Sequence, residues 1–327
     1  MTPAVDVPLL EARALTKHFA SRRRLLQAEP PTVKAVDDVS FTIRAGETLA
    51  LVGESGSGKS TTGRLLIRLL EPTAGTVLYR GKSIFEVPPA EMRPLRRKLQ
   101  IIFQDPYSSL NPRMTVAEII GDPLLIHRVG SRAERHDKIA QVLRDVELHE
   151  DHAARYPHEF SGGQRQRIGI ARALILDPEF IVCDEPISAL DVSIQAQIIN
   201  LLRNIQRKRA LSYLFISHNL SVVRHVADRV AVMYLGKIME IADKEELYAQ
   251  PRHPYTKALL SAVLEPDPEV RRDRIATRGE PPNPRNPPSG CRFRIQCPLA
   301  QPVCAEQEPE LRPADGSDRH RAACHFA

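Results

Sequence analysis

A glycine-rich segment, GESGSGKS, occupies residues 53–60 of this chain of 327 residues. An apolar run at residues 48–52 precedes it and indicates a buried strand, and the pattern of residues 60–70 indicates a helix after it. Glycines let a backbone wrap around an anion with its N–H groups pointing inward, and a helix N-terminus adds positive potential. The segment therefore predicts a phosphate-binding loop that joins a strand to a helix.

Two side chains of this loop suit it to a nucleoside triphosphate such as ATP. Lys59 is expected to reach the β- and γ-phosphates, and the hydroxyl of Ser60 is expected to bind Mg²⁺. A chance turn rich in Gly and Ser is a poor alternative, because the strand and the helix stand where the mechanism requires them. The residues expected to bind nucleotide here are Gly53, Ser55, Gly56, Gly58, Lys59, Ser60 and Thr61.

A pair of acids, Asp184 and Glu185, ends a second apolar run at residues 181–183. Ligands of α/β proteins bind at the carboxyl ends of strands, beside such a phosphate loop. Asp184 is suited to hold Mg²⁺ through water, and Glu185 to act as general base on the attacking water. The alternative is that the two acids only begin the next helix. Cys183, inside the apolar run, is interpreted as a small core residue.

The remaining pattern predicts the fold class. Apolar strands are expected at residues 180–183, 213–216 and 230–233, separated by helical patterns. This alternation predicts an α/β fold with a mixed, mostly parallel sheet that helices cover on both faces. Residues from about 106 to 176 show helical periodicity without a convincing strand, so a helical subdomain is expected there.

The composition changes near residue 250. Prolines become frequent from Pro251 onward, and four of the five cysteines follow them. Such a segment cannot form long regular helices or central strands. We therefore expect a core domain at residues 1–250 and a small, loop-built, Cys-rich domain at residues 251–327.

Bulk properties exclude several other classes of protein. No stretch approaches the roughly 20 apolar residues that cross a bilayer, and the first ten residues lack the pattern of a signal peptide. The formal net charge of +6 would permit contact with nucleic acid. The chain shows no basic helix and no aromatic platform for single strands, so no nucleic-acid partner is expected. Any role at a membrane is expected to depend on partner subunits.

The segment FSGGQRQR at residues 160–167 resembles the signature motif of the ABC ATPases. Ser161 is suited to cap a helix whose glycine-rich start is offered to phosphate. The order of phosphate loop, signature and paired acids is typical of this family, which implies an ABC ATPase core. The resemblance implies four nucleotide contacts in the signature, from Ser161, Gly162, Gly163 and Gln164.

The resemblance also assigns roles outside these motifs. Gln104, in IFQDP, matches the Q-loop glutamine that senses Mg²⁺ and water, and Asp191, in SALD, belongs to the D-loop. His218, in FISHN, matches the switch histidine that contacts the γ-phosphate. Phe19 stands where the family stacks an aromatic ring on adenine. Asn219 departs from the Asp that many relatives carry after the histidine.

Further segments resemble the oligopeptide/dipeptide importer branch of the family, among them YSSLNPRMTV at residues 107–116 and RHPYT at residues 252–256. This resemblance implies a subunit that hydrolyses ATP to power import of di- or oligopeptides from the cytoplasmic face of the inner or plasma membrane. It also implies a sister ATPase, two transmembrane permease subunits and an extracytoplasmic peptide-binding protein. Nickel or glutathione import, a soluble ABC ATPase of DNA repair or translation, and an iron–sulfur redox protein are the alternatives.

Four cysteines in the C-terminal part form a candidate metal site, namely Cys291, Cys297, Cys304 and Cys324. Four thiolates can hold a [4Fe–4S] cluster or a tetrahedral zinc ion. The closely paired cysteines typical of structural zinc are absent. The resemblance to the importer branch adds that related subunits carry such a segment and that some of them hold an iron–sulfur cluster. A [4Fe–4S] cluster is therefore the favoured prediction, with zinc and no metal as alternatives. His320 and His325 are expected to be surface residues.

Overall fold

The computed structural model describes residues 7–20, 32–262, 275, 277, 279–280, 282–314, 316 and 318–327. The chain divides into two compact units. The first unit comprises Met1–Ile43, Leu49–Phe85 and Ser217–Ala327. The second unit comprises Arg44–Thr48 and Glu86–Ile216. Part of the proline-rich segment, including residues 263–274 and Pro281, lies outside the described residues.

The elements of the described chain range from strands of 2 residues to a helix of 18 residues. The first half contains β1 (Leu10–Ala20), β2 (Thr32–Ile43), β3 (Thr48–Val52), α1 (Lys59–Leu66), β4 (Ala74–Tyr79), β5 (Lys82–Ser83), α2 (Pro89–Lys98), β6 (Leu99–Ile102), α3 (Pro106–Ser109), α4 (Val116–Ile126), α5 (Arg132–Asp145) and α6 (Gly162–Leu174). The second half contains β7 (Phe180–Asp184), α7 (Val192–Arg209), β8 (Ser212–Ser217), α8 (Leu220–Val226), β9 (Arg229–Tyr234), β10 (Lys237–Asp243), α9 (Lys244–Ala249), α10 (Pro254–Ser261), α11 (Val303–Glu306), β11 (Arg312–Pro313) and β12 (Arg321–Ala322).

The first unit contains two sets of paired strands. One is antiparallel throughout, in the order β2, β1, β4, β5. In the other, β3 runs parallel to β9, and β9, β10, β12 and β11 then pair antiparallel in that order. Every residue of β3 is buried, which explains why its sequence is an unbroken apolar run instead of an alternating one. This strand leads directly into the glycine-rich loop and α1.

The second unit has a parallel core of β6, β7 and β8. Phe180, Ile181 and Leu214 on these strands are fully buried, and α7 contributes a buried stripe that includes Leu201 and Ile205. Helices α3 to α6 lie within residues 106–174, where helical periodicity predicted a helical subdomain. The helices α4, α5 and α6 each begin with a capping box, in which a Thr or Ser side chain and the residue three positions later satisfy each other's backbone N–H groups.

The predicted strands are confirmed, but the sequence pattern missed part of the sheet structure. The antiparallel set was not predicted, because register shifts interrupt the alternation of β1 against β2 and β4. The helix predicted for residues 60–70 ends at Leu66, since Arg68 adopts a left-handed conformation with φ of 52°. The C-terminal segment belongs to the first unit, so the domain boundary at residue 250 stays a prediction.

Candidate nucleotide-binding site

The glycine-rich loop has a backbone that two of its glycines make possible. Gly53 and Gly58 have φ of 151° and 106°, values that side chains rarely allow. A Cβ at Gly53 would lie 2.1 Å from the carbonyl oxygen of Met233, and a Cβ at Gly58 would lie 2.0 Å from that of Ala35. The neighbouring backbone therefore excludes any side chain at these two positions.

Lys59 lies across this loop instead of pointing into solvent. Its side chain is buried, and its ammonium donates hydrogen bonds to the carbonyl oxygens of Gly53 (2.8 Å) and Glu54 (2.7 Å). Ser60 follows in the first turn of α1 and is half-buried, whereas Ser55 and Gly56 are exposed at the tip. The loop thus presents a positive charge and a helix N-terminus at one place, which suits a phosphate group.

At the end of β7, two predicted site residues meet. The side-chain amide of Gln104 donates a hydrogen bond of 3.0 Å to the carboxylate of Glu185. Glu185 has φ of 45°, and its N–H donates to the carbonyl of Ile216 at 3.1 Å. A non-glycine residue in this conformation is uncommon and marks a constrained turn, which aims the carboxylate at Gln104. Asp184, the last residue of β7, is buried with 2% exposure.

The signature segment begins α6 as predicted. The hydroxyl of Ser161 accepts the N–H of Gln164 at 3.4 Å, and the side-chain oxygen of Gln164 accepts the N–H of Ser161 at 3.1 Å. A Cβ at Gly163 would lie 2.6 Å from a methyl carbon of Ile194, so glycine lets the start of α6 approach α7 closely. Gly162 is half-buried, and its own Cβ position would lie in ordinary contact with a neighbour, at 3.4 Å.

The residues assigned to the D-loop and the switch lie at exposed helix starts. Asp191 precedes α7 and is exposed, and its side chain makes no capping hydrogen bond to that helix. His218 is exposed at the end of β8. Asn219 caps α8 by accepting the N–H groups of Ser221 (3.0 Å) and Val222 (3.3 Å). Asn and Asp are comparable helix caps, which explains why Asn serves at this position.

The predicted site residues are divided between the two units. Phe19, the phosphate loop and His218 belong to the first, and Phe19 is 39% exposed on β1 with the ammonium of Lys17 5.2 Å from its ring centroid. The second unit holds the remaining ones, which are Gln104, Ser161, Gly162, Gly163, Gln164, Asp184, Glu185 and Asp191.

The four C-terminal cysteines line one pocket, as their clustering in sequence suggested. Cys291, Cys297 and Cys304 are buried, Cys324 is half-buried, and Phe293 and His325 are among the other lining residues. Burial raises the pKa of Cys291 to about 11, and the neighbouring thiols add to the effect. Nowhere in the described part of the chain are three or more His, Cys, Asp or Glu side chains arranged to hold a metal ion. The predicted iron–sulfur cluster therefore lacks support beyond the shared pocket.

The prediction that His320 is a surface residue is wrong. Its ring is 3% exposed, and Nε2 lies 2.7 Å from a carboxylate oxygen of Glu240 on β10. Glu240 is fully buried and also accepts the N–H groups of Arg252 (2.8 Å) and His253 (2.9 Å). Burial alone would raise the pKa of Glu240, but the hydrogen bonds from His320 and from the backbone hold it below its ordinary value. A buried carboxylate needs such partners, and only the tertiary fold shows which ones it has.

Comparisons with known proteins agree with this fold. Residues 36–188 match the protein family described as "ABC transporter". Residues 239–304 match the family described as "Oligopeptide/dipeptide transporter, C-terminal region". The oligopeptide transport ATP-binding protein AppF of Bacillus subtilis strain 168 is 54% identical over 100% of this chain and 99% of its own length. A putative peptide import ATP-binding protein of Brucella ovis is 55% identical over 94% of this chain and 95% of its own.

A solved structure extends the comparison to the fold. The ATP-binding cassette MJ0796, solved as a dimer in a post-hydrolysis state bound to ADP and Pi, aligns with a TM-score of 0.64 and 28% identity, over 72% of this chain and 98% of its own. The fold and the loop thus define an ATP-binding cassette. The chain belongs to the ABC transporter family of ATP-binding proteins, in its oligopeptide/dipeptide branch, and is an ATPase. Throughout the described residues, every helix is too short or too polar to cross a membrane.

Proposed function

We propose that this chain hydrolyses ATP to power the import of di- or oligopeptides through a membrane ABC transporter. The observation that carries this proposal is the match of residues 239–304 to the C-terminal region of oligopeptide/dipeptide transporters. The curated relatives with this similarity over their whole length are named for oligopeptide transport or peptide import. A soluble ABC ATPase of DNA repair or translation would not be expected to carry that region.

ATP binding would use the phosphate loop of the first unit. Lys59 would give up its hydrogen bonds to the carbonyls of Gly53 and Glu54 and bind the β- and γ-phosphate oxygens instead. The phosphate oxygens are the stronger partners because they carry negative charge. Backbone N–H groups of the loop and the start of α1 would hold the remaining oxygens. Ser60, Gln104 and Asp184 would hold Mg²⁺, which would supply positive charge against the phosphates. Phe19 would stack on the adenine ring.

Hydrolysis would depend on Glu185. Its carboxylate would take a proton from a water whose oxygen attacks the γ-phosphorus, while the bond to the β,γ-bridging oxygen breaks and ADP leaves. Gln104 restricts the orientation of that carboxylate through the 3.0 Å hydrogen bond. His218 would contact the γ-phosphate as the switch histidine.

The signature segment would act on the nucleotide of a second cassette. Each chain has one phosphate loop and one signature, and the solved MJ0796 cassette is dimeric. We propose a heterodimer with a sister ATPase, in which Ser161, Gly162, Gly163, Gln164 and Asp191 face the partner's ATP. Two permease subunits and an extracytoplasmic peptide-binding protein would complete a transporter whose ATPases sit on the cytoplasmic face of the inner or plasma membrane. No nucleic-acid partner is part of this proposal.

The four cysteines would hold a [4Fe–4S] cluster with a structural or regulatory role outside hydrolysis, and zinc or no metal are the alternatives. Support comes from the shared pocket of Cys291, Cys297, Cys304 and Cys324 and from the known affinity of thiolates for iron–sulfur clusters. Metal content and the visible absorption spectrum of anaerobically purified protein test this step. Iron and sulfide with a visible charge-transfer band would support it, whereas stoichiometric zinc or no metal would refute it.

The transport function is tested by uptake with the assembled complex. The chain is reconstituted in vesicles with its sister ATPase, permeases and binding protein, and labelled di- and oligopeptides, Ni²⁺ and glutathione are offered in parallel. The proposal expects ATP-dependent uptake of peptides and ATPase stimulation by the loaded binding protein. Uptake of Ni²⁺ or glutathione without peptides would overturn the peptide cargo, and the absence of any permease complex would overturn the transporter role.

A further inference from the structure

The RHPYT segment at residues 252–256 brings one buried side chain to the phosphate loop. The hydroxyl of Tyr255, which is 1% exposed, accepts a hydrogen bond of 3.1 Å from the N–H of Glu54. The two residues are 201 positions apart, and both belong to the first unit. Sequence motifs marked this segment only as a feature of the family branch, and the reactions assigned above give Tyr255 no role.

The peptide group that Tyr255 contacts is held from both sides. The N–H of Glu54 and the carbonyl of Gly53 belong to one planar peptide, so they point in opposite directions. Tyr255 accepts from the N–H, and the ammonium of Lys59 donates to the carbonyl at 2.8 Å. Gly53 is also the residue with φ of 151°, where the backbone has the freedom to turn. Fixing this peptide therefore also fixes the place of the Lys59 ammonium.

Tyr255 itself is held rigidly. It stands in the first turn of α10, where its N–H donates to the ring nitrogen of the capping residue His253 at 3.0 Å. Its ring packs against Tyr234 and Phe293, with centroid distances of 4.7 Å and 5.2 Å. Burial raises the pKa of Tyr255, so its hydroxyl stays neutral at physiological pH. A rigid, neutral hydroxyl can hold a backbone N–H at a fixed position without adding charge.

We propose that Tyr255 is a positioning residue of the ATP site: its hydroxyl fixes the Gly53–Glu54 peptide and keeps the loop and Lys59 ready for the triphosphate. The inference rests on the proposed role of residues 53–60 as the ATP phosphate loop. It makes the C-terminal segment part of the ATP-binding machinery, because Phe293 of that segment packs on the Tyr255 ring. A merely structural tyrosine would stabilise the fold without changing the affinity for ATP.

The test compares Tyr255→Phe with the matched variant Tyr234→Phe in the full chain. Both changes remove a buried hydroxyl and its hydrogen bond. The Tyr234 hydroxyl donates to the side-chain oxygen of Gln296 at 2.6 Å, whereas the Tyr255 hydroxyl accepts from the N–H of Glu54. We measure the Kd of Mg-ATP by calorimetry, the KM and kcat of the reconstituted complex, and the unfolding temperature without nucleotide. Amide hydrogen exchange of a peptide that contains Glu54 provides a readout independent of activity.

The proposal expects Tyr255→Phe to raise Kd and KM about threefold to tenfold, with little change in kcat, as fits the loss of one hydrogen bond. Exchange at Glu54 should become faster in this variant, and Tyr234→Phe should leave Kd and exchange unchanged despite a similar loss of stability. Unchanged Kd and exchange in Tyr255→Phe, or an equal change in Tyr234→Phe, would overturn the inference. Wild-type protein that binds no Mg-ATP, or Lys59→Ala that binds it normally, would instead refute the phosphate-loop assignment on which the inference rests.

Discussion

The side-chain amide of Gln104 donates a hydrogen bond of 3.0 Å to the carboxylate of Glu185, although the two residues are 81 positions apart. Gln104 follows β6 and Glu185 follows β7, and these neighbouring parallel strands bring their carboxyl ends to one edge of the sheet. An amide that donates to a carboxylate fixes the orientation of the carboxylate, and the carboxylate can still accept a proton. The pair therefore has the arrangement expected of a general base and its orienting partner.

Replacing the base is the first test of this pair. Glu185→Gln is expected to lower kcat by about 10²–10⁴-fold, because an amide cannot accept the proton of the attacking water. ATP binding should persist, so the variant should accumulate as an ATP-bound dimer, visible by size-exclusion chromatography. Glu179 lies just before β7 and forms an ion pair of 3.2 Å with Lys98. Glu179→Gln removes this ion pair and serves as the control, and this variant should keep the wild-type kcat. Normal turnover by Glu185→Gln would show that the base is another group.

Removing the orienting partner should have a smaller and different effect. Gln104→Ala is expected to lower kcat by about tenfold or more while the Kd of ATP alone changes little, since the carboxylate remains but loses its fixed orientation. Steady-state kinetics of the assembled complex measures kcat, and calorimetry without Mg²⁺ measures Kd. A variant with wild-type kcat would mean that the contact between Gln104 and Glu185 has no role in turnover.

The packing of the signature helix can be tested with two glycines of α6. Gly163→Ala should destabilise the chain by about 1–3 kcal/mol, because its Cβ would meet a methyl carbon of Ile194 at 2.6 Å. Gly169→Ala is the matched control, since nothing lies within 4 Å of its Cβ position and alanine favours a helix by up to about 1 kcal/mol. Denaturant unfolding measures both. Equal changes in the two variants would show that the close approach at Gly163 is not what requires glycine.

The buried histidine of the RHPYT segment predicts a pH dependence of stability. Burial lowers the pKa of His253 from 6.5 to about 4, against the opposing attraction of Glu240. Below pH 6.5 the unfolded chain binds a proton there and the folded chain does not, so the free energy of unfolding falls as the pH is lowered toward 4. The full loss attributable to this group is about 3 kcal/mol.

His253→Asn isolates that contribution, because Asn can still cap α10. The free energy of unfolding of this variant should depend less on pH between 6.5 and 4 than that of the wild-type chain. His136→Asn, at a histidine whose side chain is 85% exposed, is the control and should keep the wild-type slope. Identical slopes for all three proteins would contradict the assignment of a neutral buried His253.

Local sequence predicted those parts of the site that a single segment determines. The glycine spacing of residues 53–60 and the apolar run before Asp184 each specify a loop or a strand end, and the structure forms both as expected. The antiparallel strands of the first unit were not predictable in this way, because their register shifts break the alternation that would indicate a strand.

Contacts between residues far apart in the sequence could not be predicted either. The contact between Tyr255 and Glu54 joins residues 201 positions apart, and the pair of His320 and Glu240 joins residues 80 positions apart. Nothing in the polar sequence around His320 indicates burial, since its environment is set by the pairing of β12 with β10. Such contacts depend on the tertiary fold, so a sequence pattern gives no signal for them.

The role of the phosphate loop in ATP-driven import is tested by comparing the wild-type chain with Lys59→Ala in the reconstituted transporter. ATP-driven uptake of labelled peptide and release of phosphate are measured together, with Lys17→Ala, which removes the ammonium near Phe19, as a control for loss of positive charge on the same unit. Lys59→Ala is expected to abolish both uptake and phosphate release, whereas Lys17→Ala should retain them. Peptide uptake at the wild-type rate by Lys59→Ala would contradict this role of the phosphate loop.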